Sequence, residues 1–295
     1  MRPDVFAAVM ATGIVSIAAA DHGFRVVSGG LMVVAAVGFA VLIVMVARAW
    51  RAFDFRDLDV PIGLFTYVAA CAVLAARLAE HRIVLWALAA MALQGWLSLA
   101  PLVARRMWQH RASLRDRAHG AWELASVATS GLAIVSADLG IVFLAVVFWV
   151  LAMCVYLLMT GLIVWRVDLA KPDSWILMGG AAIATLAGDH LHGVLLPGPI
   201  ADAVRGVTIV TWVVATLWIA PLAYVTIRRF AGIGWPTVFP LGMYASATYA
   251  MYVELDWAWL TWVSLVFLWI ALSTWLFVAV ASVRRVGLLS KRGLK

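Results

Sequence analysis

The sequence predicts an all-α integral membrane protein with ten transmembrane helices arranged as five helical hairpins, and three observations carry that prediction. First, ten apolar stretches long enough to cross a bilayer occur at 5–21, 26–47, 60–79, 83–104, 121–138, 139–164, 174–196, 203–226, 236–255 and 258–281. Second, the basic residues alternate between the gaps. The two termini and the gaps on their side hold Arg2; Arg48, Arg51, Arg56; Arg105, Arg106, Arg111, Arg115, Arg117; Arg166, Lys171; Arg228, Arg229; and Arg284, Arg285, Lys291, Arg292, Lys295. The opposite gaps hold only Arg25, Arg77, Arg82 and Arg205, so 18 of the 22 Lys and Arg residues fall on one side. The positive-inside rule makes that side cytoplasmic, with both termini there and an even number of spans. Third, a chain of 295 residues that is 65% hydrophobic and 13% charged, with a mean hydropathy of +1.01, has too little polar surface for a soluble globule.

The first stretch begins like a signal peptide, with Arg2, an apolar run and Ala18-Ala19-Ala20 as a cleavage site. Its charged region is only Arg2 offset by Asp4, however, and Thr12, Gly13 and Ser16 interrupt the run. Removing it would leave nine spans and spoil the charge alternation, so it is expected as a retained first helix. The second stretch carries Gly29, Gly30 and Gly38, the third Gly63 and Thr66, and the fourth ends at Arg105 and Arg106. The fifth carries Ser126, Thr129 and Ser130, and the sixth Phe143, Phe148 and Trp149. Gly179, Gly180, Thr185 and Gly188 mark the seventh, and the eighth ends at Arg228 and Arg229. The ninth has Gly242 and Ser246; the tenth has Trp262, Phe267, Trp269 and Trp275. Odd-numbered stretches start near 5, 60, 121, 174 and 236, a period near sixty that reads as repeated hairpins. A faint echo of Ala11-Thr12-Gly13-Ile14-Val15-Ser16 occurs at Ala128-Thr129-Ser130-Gly131 and Ile134-Val135-Ser136. The longest hydrophilic gap, about 105–120, is too short to fold alone, so residues 1–295 form a single transmembrane domain.

Small residues thus concentrate in the odd helices, and bulky ones in helices six and ten. Small residues suit close helix packing, and they also suit the lining of a narrow central pathway; bulky faces suit lipid. The net charge of +7 sits in the cytoplasmic gaps and reports topology, with no sign of a nucleic-acid partner. The basic loop at 105–117 could meet anionic headgroups, although a topogenic role explains it. Cys71 and Cys154 are too isolated for a disulfide framework or a metal site.

An ionisable residue inside a span is by default a functional candidate. Glu123 lies at the cytoplasmic mouth of helix five, Asp189 toward the outer end of helix seven, and Glu254 and Asp256 at the outer end of helix nine. No acid is evident near a midplane, where a proton- or sodium-coupled pump needs one. The run Asp189-His190-Leu191-His192 suggests a metal, but His residues two apart on a helix point to different faces. They are read as polar residues of the outer mouth. No phosphate-binding glycine loop or Ser/His/Asp arrangement is present, which argues against an enzyme.

Helix nine holds the most specific signal. Pro240 removes a helical hydrogen bond mid-span, leaving polar backbone that only a protein-buried or water-lined position tolerates. Phe239 precedes it, and Gly242 and Ser246 share its face. Its ring could plug a pore or could pack in an ordinary core.

Trp235-x-x-x-Phe239-Pro240-Leu241-Gly242, together with Val9-Met10-Ala11-Thr12-Gly13-Ile14-Val15-Ser16, resembles the tellurite-resistance/dicarboxylate transporter (TehA / slow-type anion channel) family. Val127-Ala128-Thr129-Ser130, Trp175-Ile176-Leu177-Met178-Gly179 and Thr185-Leu186-Ala187-Gly188 extend the resemblance over essentially the whole chain. It implies five hairpins around a central pore lined by the odd helices, with the even helices outside. It also implies homotrimers with one pore per subunit, each pore occluded by a ninth-helix phenylalanine, which by motif is Phe239. The lining candidates are Thr12, Gly13, Ser16, Gly63, Thr66, Ser126, Thr129, Ser130, Gly180, Gly188, Gly242 and Ser246.

These lines converge on an inner-membrane, multi-pass anion channel or permease of the TehA type, surrounded by membrane lipids. It would move small anions, with C4-dicarboxylates and tellurite among the candidates, and needs no cofactor. Helix N-termini and hydroxyls supply the partial positive charge an anion path needs. Two alternatives remain: a proton-coupled dicarboxylate or tellurite exporter, and a non-conducting membrane scaffold or sensor.

Overall fold

The computed structural model describes residues 3–164, 169, 171–229 and 232–292, with backbone alone at 229 and 285–292. Arg2, Arg166 and Lys295 of the basic set lie outside the described residues. Among the described residues ten long helices form: α1 (Ala7–Asp21), α2 (Arg25–Ala49), α3 (Asp59–Arg77), α4 (Arg82–Gln109), α5 (Leu124–Asp138), α6 (Val142–Ile163), α7 (Ile176–Val194), α8 (Pro199–Arg229), α9 (Trp235–Leu255) and α10 (Trp259–Arg292). A one-turn helix at Leu114–Arg117 and 3₁₀ turns at Trp50–Ala52, Gly120–Glu123 and Pro172–Trp175 occupy the loops between hairpins. The described residues contain no strand.

Each hairpin turns within a few residues, and two of the turns are the same device. After α1, Gly23 (φ 76°) lets Phe24 N–H donate to the Ala19 carbonyl and Gly23 N–H to that of Ala20. After α5, Gly140 (φ 76°) does the same, with Ile141 N–H on Ser136 and Gly140 N–H on Ala137. This double closure satisfies the last helical carbonyls and needs a left-handed residue, which glycine supplies without strain. Three positions of the two units correspond at one spacing: Thr12 with Thr129, Asp21 with Asp138, Gly23 with Gly140. The echo in the sequence is the trace of a repeated hairpin.

Consecutive helices pack in pairs, α1 on α2 through α9 on α10. The odd helices also touch one another in the order α1–α3–α5–α7–α9 and back to α1, which closes a ring. Glycines permit that closeness. An added Cβ on Gly13 would stand 2.7 Å from Val73 Cγ1, on Gly131 2.7 Å from Ala72 Cβ, and on Gly242 3.1 Å from Ile14 Cγ2. Ring helices are accordingly buried nearly throughout: every residue of α5 from Leu124 to Ala137, and of α7 from Ile176 to Gly188.

The even helices form an outer layer, tied inward by tryptophans. Trp275 of α10 donates to Thr12 of α1 (2.8 Å), Trp96 of α4 to Thr129 of α5 (3.0 Å) and Trp212 of α8 to Thr248 of α9 (3.2 Å). Trp149 of α6 reaches the Ala184 carbonyl of α7. Each tie joins an outer helix to the first helix of the next hairpin, worth about 1 kcal/mol in net stability. This corrects the expectation that the heavy faces of helices six and ten serve lipid. Phe143 and Trp262 do face outward, at 77% and 70% exposure, and Trp269 is exposed as well. Phe148 and Trp149 are buried, however, Phe267 packs on Tyr244 at 4.5 Å between centroids, and Trp275 clamps α1.

Outward-facing Val26, Val33, Val37 and Val41 of α2 and Leu157 and Leu158 of α6 give the outer layer a continuous apolar surface. Among the described residues, six helices are long and apolar enough to cross a membrane: α2, α3, α4, α6, α8 and α10. The molecule is a helical, multi-pass membrane protein.

Candidate functional site

The C-terminal halves of the five ring helices enclose a cavity of about 360 Å³. On α9 its lining residues are Met243, Ser246, Tyr249, Ala250 and Val253, spaced as one helical face. α1 contributes Ile14, Ile17 and Asp21; α3 Ala72, Val73 and Ala76; α5 Gly131 and Ile134; α7 Ile183, Leu186, Asp189 and His190. The cavity opens at its C-terminal rim, where Val253 is 66% exposed. At the other end it stops. One turn further in on the same α9 face lies Phe239, fully buried, with Met10 of α1, Ala69 of α3, Ala128 of α5 and Gly179 of α7 buried in the corresponding turns. A Cβ on Gly179 would stand 3.3 Å from Phe239 Cε1 and 3.0 Å from Pro240 Cγ, so the absence of a side chain there makes room for the ring.

The rim is polar and acidic. His190 Nδ1–H donates to Asp138 Oδ1 at 2.7 Å, which fixes the ring and leaves Nε2 for the cavity. Asp21 lies within electrostatic reach of His190, Arg77 and Asp189. Arg77 spans to α2 by donating to Ser28 Oγ at 2.9 Å. Further out, Glu254 pairs with Arg205 and, at 3.3 Å, with His192. His190 and His192 therefore serve different partners, and among the described residues no group of three His, Cys, Asp or Glu is placed to hold a metal.

At the opposite end of the ring a second cluster binds loops together. His119 Nδ1 lies 2.8 Å from Asp173 Oδ2 and Nε2 3.2 Å from Asp59 Oδ1, while Trp122 Nε1–H donates to the same Asp59 oxygen. The carboxylates beside it hold the His119 imidazolium, pushing its pKa up to about 9. The hydrogen bond from His119 pulls the Asp59 carboxyl below its ordinary value. Glu123, beside this cluster, has no exposure. Its carboxylate accepts from Ser126 Oγ at 2.7 Å and Thr160 Oγ1 at 2.6 Å, and so ties α5 to α6.

The lining residues expected from sequence fall into two groups. Most have a partner in the packing: Thr12 with Trp275, Ser16 with Ser28, Thr66 with the Gly63 carbonyl, Ser126 with Glu123, and Thr129 with Trp96. Gly63 lies against Pro3, Gly180 against Tyr156, and Gly188 against Thr208 and Trp149. Gly13 and Gly242 lie in the ring contacts α1–α3 and α9–α1. Ser130 and Ser246 differ: the buried Ser130 hydroxyl has no protein partner, and that of Ser246 lines the cavity beside the Asp21 carboxylate. Met243 takes the place on the Phe239 face that the spacing assigned to Gly242. The sequence reading passed over Asp21 and Asp138; their signal was the shared position before the two glycine turns.

A ring of helices, a cavity coaxial with it and a buried aromatic at the cavity's end define a helical membrane protein with a candidate path along its axis. Residues 1–283 match the SLAC1 voltage-dependent anion channel family, and the chain belongs to that family. Comparison with curated proteins gives no significant match. Membership supports anion channel or transport activity and assigns small anions as the transported class.

Proposed function

We propose that the chain is an anion channel or permease of the TehA type whose path runs along the axis of the ring, with Phe239 as its gate. The carrying observation is the α9 face on which Met243, Ser246, Ala250 and Val253 line the cavity while Phe239, the next position inward, fills the closed level. The buried hydroxyls of Ser130, which has no protein partner, and of Ser246, which meets only Asp21 on the cavity wall, support the reading. A buried hydroxyl without a partner is costly, and an anion or water on the path supplies one.

The charge distribution supports ten spans in an inner membrane with both termini cytoplasmic, which sets the cavity on the outer side. Ring helices shorter than a bilayer's thickness fit this arrangement: α1 and α5, 15 residues each, are about 22 Å long and are shielded from lipid by the outer layer. Homotrimers, with C4-dicarboxylates or tellurite among the anions, complete the proposal.

The test is chloride or nitrate conductance of wild type and Phe239→Ala, beside thermal stability. A gate gives strongly raised conductance in a folded protein, and Phe239→Leu an intermediate value. A core phenylalanine instead costs on the order of 3–5 kcal/mol without any gain in flux. Unchanged conductance in well-folded Phe239→Ala would remove the gate. No anion flux from any variant would favour the scaffold reading.

A further inference from the structure

We infer that the outer cavity is a proton-dependent anion subsite, in which His190 Nε2–H and the Ser246 hydroxyl receive a small anion once the Asp21–Asp189 pair holds a proton. The inference rests on the axial anion path proposed above and concerns its regulation. Two donors are built for a ligand. Ser246 Oγ, only 2% exposed, lines the cavity beside the Asp21 carboxylate and has no other partner, so a proton on Asp21 frees it for a ligand. His190 lines the cavity and is held through Nδ1 by Asp138; with Nδ1–H given to that carboxylate, Nε2 carries a hydrogen in the imidazolium, the form in which His190 donates to an anion. A hydroxyl and an imidazole N–H converging on one space match an anion better than a cation.

The surrounding charge opposes that ligand. Asp21 comes from α1 and Asp189 from α7, and both line the cavity. Of the other groups facing them, Asp138 of α5 is engaged by His190, and Glu254 of α9 by Arg205 of α8 and His192 of α7. Arg82 of α4 donates to the Asp138 carbonyl, and His22, after α1, is held toward its neutral form by burial and bonds Ser264 of α10. The His190 imidazolium and the Asp138 carboxylate offset each other, which leaves Arg77 of α3 as the cation opposite Asp21 and Asp189. Two carboxylates against one guanidinium leave a negative excess in a cavity with apolar walls, where field is focused and an anion is repelled. One proton on the pair cancels the excess. The anion then enters with a proton already present, and its occupancy follows the pH on the cavity side.

Nitrate current through the full chain in planar bilayers, with pH set independently on each side, tests this. Lowering the cavity side from about pH 7.5 to about 5.5 should raise the current roughly tenfold, the low end of charge focusing in a cleft. The same step on the other side should not. Asp21→Asn with Asp189→Asn should raise the current at the higher pH to the wild-type value at the lower one and flatten the profile. If the double variant does not fold, each single variant should shift the profile to higher pH. His190→Gln with Ser246→Ala should raise the half-saturating nitrate concentration several-fold at the lower pH. Carboxylates that only brace the ring would leave the profile shape intact while lowering thermal stability and current at every pH, and that result overturns the inference. Current present but equal at both pH values also overturns it, leaving the anion path standing. No current under any condition overturns both.

Discussion

Replacing His119 by Gln removes the charge that joins the N-terminal ends of α3, α5 and α7, and the cost can be worked from the imidazole's surroundings. His119 touches Asp173 at 2.8 Å and Asp59 at 3.2 Å with its side chain 28% exposed. A pKa raised from 6.5 to about 9 corresponds to about 3 kcal/mol of preferential proton binding by the folded protein. A raised imidazole contributes fully below its unfolded value, so the contribution is whole below about pH 6.5 and is lost as pH rises through about 9. Asp59 works in the opposite sense. Its lowered carboxyl contributes above its ordinary value of 3.8, and that contribution is lost as pH falls through its folded value. The staple is therefore strongest between about pH 4 and 6.5. Thermal unfolding in mild detergent should show wild type losing midpoint temperature between pH 6.5 and 9, relative to His119→Gln, with the two converging above that range. A constant difference between the two proteins from pH 5 to 10 would refute the reasoning, because it would assign the loss to packing rather than charge.

Further outcomes are expected. Gly120→Ala drives a Cβ into the Asp173 backbone, 2.5 Å from its carbonyl carbon; rigid backbone gives no relief, so thermal stability or yield should fall by about 3 kcal/mol or more in equivalent terms. Reporter fusions after Arg111 and after Lys295 should both report cytoplasm, and a periplasmic signal at Arg111 breaks the ten-span topology. Mass measurement in mild detergent should give a trimer; monomers or dimers across all conditions remove that assembly.

Helix number and position were legible because hydropathy and charge act locally, and the bounds shift by only a few residues at most ends. The partition between ring and outer layer was legible only in outline. Thr12 and Thr129 are small polar residues on odd helices, as a lining predicts, yet both accept from tryptophans of outer helices. Composition could not separate those roles, because a threonine that receives a clamp and one that faces a cavity are the same residue at the same spacing. The tryptophans were the missing half of the signal, since a buried indole N–H needs an acceptor on a neighbouring helix. Asp189 and His190 were legible as polar residues of the outer mouth, but Asp21 escaped for a different reason. It ends its helix and reads alone as a headgroup-facing residue; only closure of the ring brings α1 and α7 to a common rim.

That closure also restricts how a path can open. At Gly13 and Gly131 the ring helices stand close enough that one methyl would collide, and tryptophan ties hold four of the five hairpins to the next. Spreading the ring would break several such contacts together, because packed interiors resist graded deformation. A change confined to one side chain breaks few. Phe239 is that side chain on the face where the cavity ends, and two features loosen its surroundings. Pro240 cannot donate to the Pro236 carbonyl, so α9 lacks a hydrogen bond at this level. Gly179 presents no side chain across from the ring. A rigid frame with softness placed beside one aromatic makes rotation of that aromatic, rather than movement of helices, the expected opening motion.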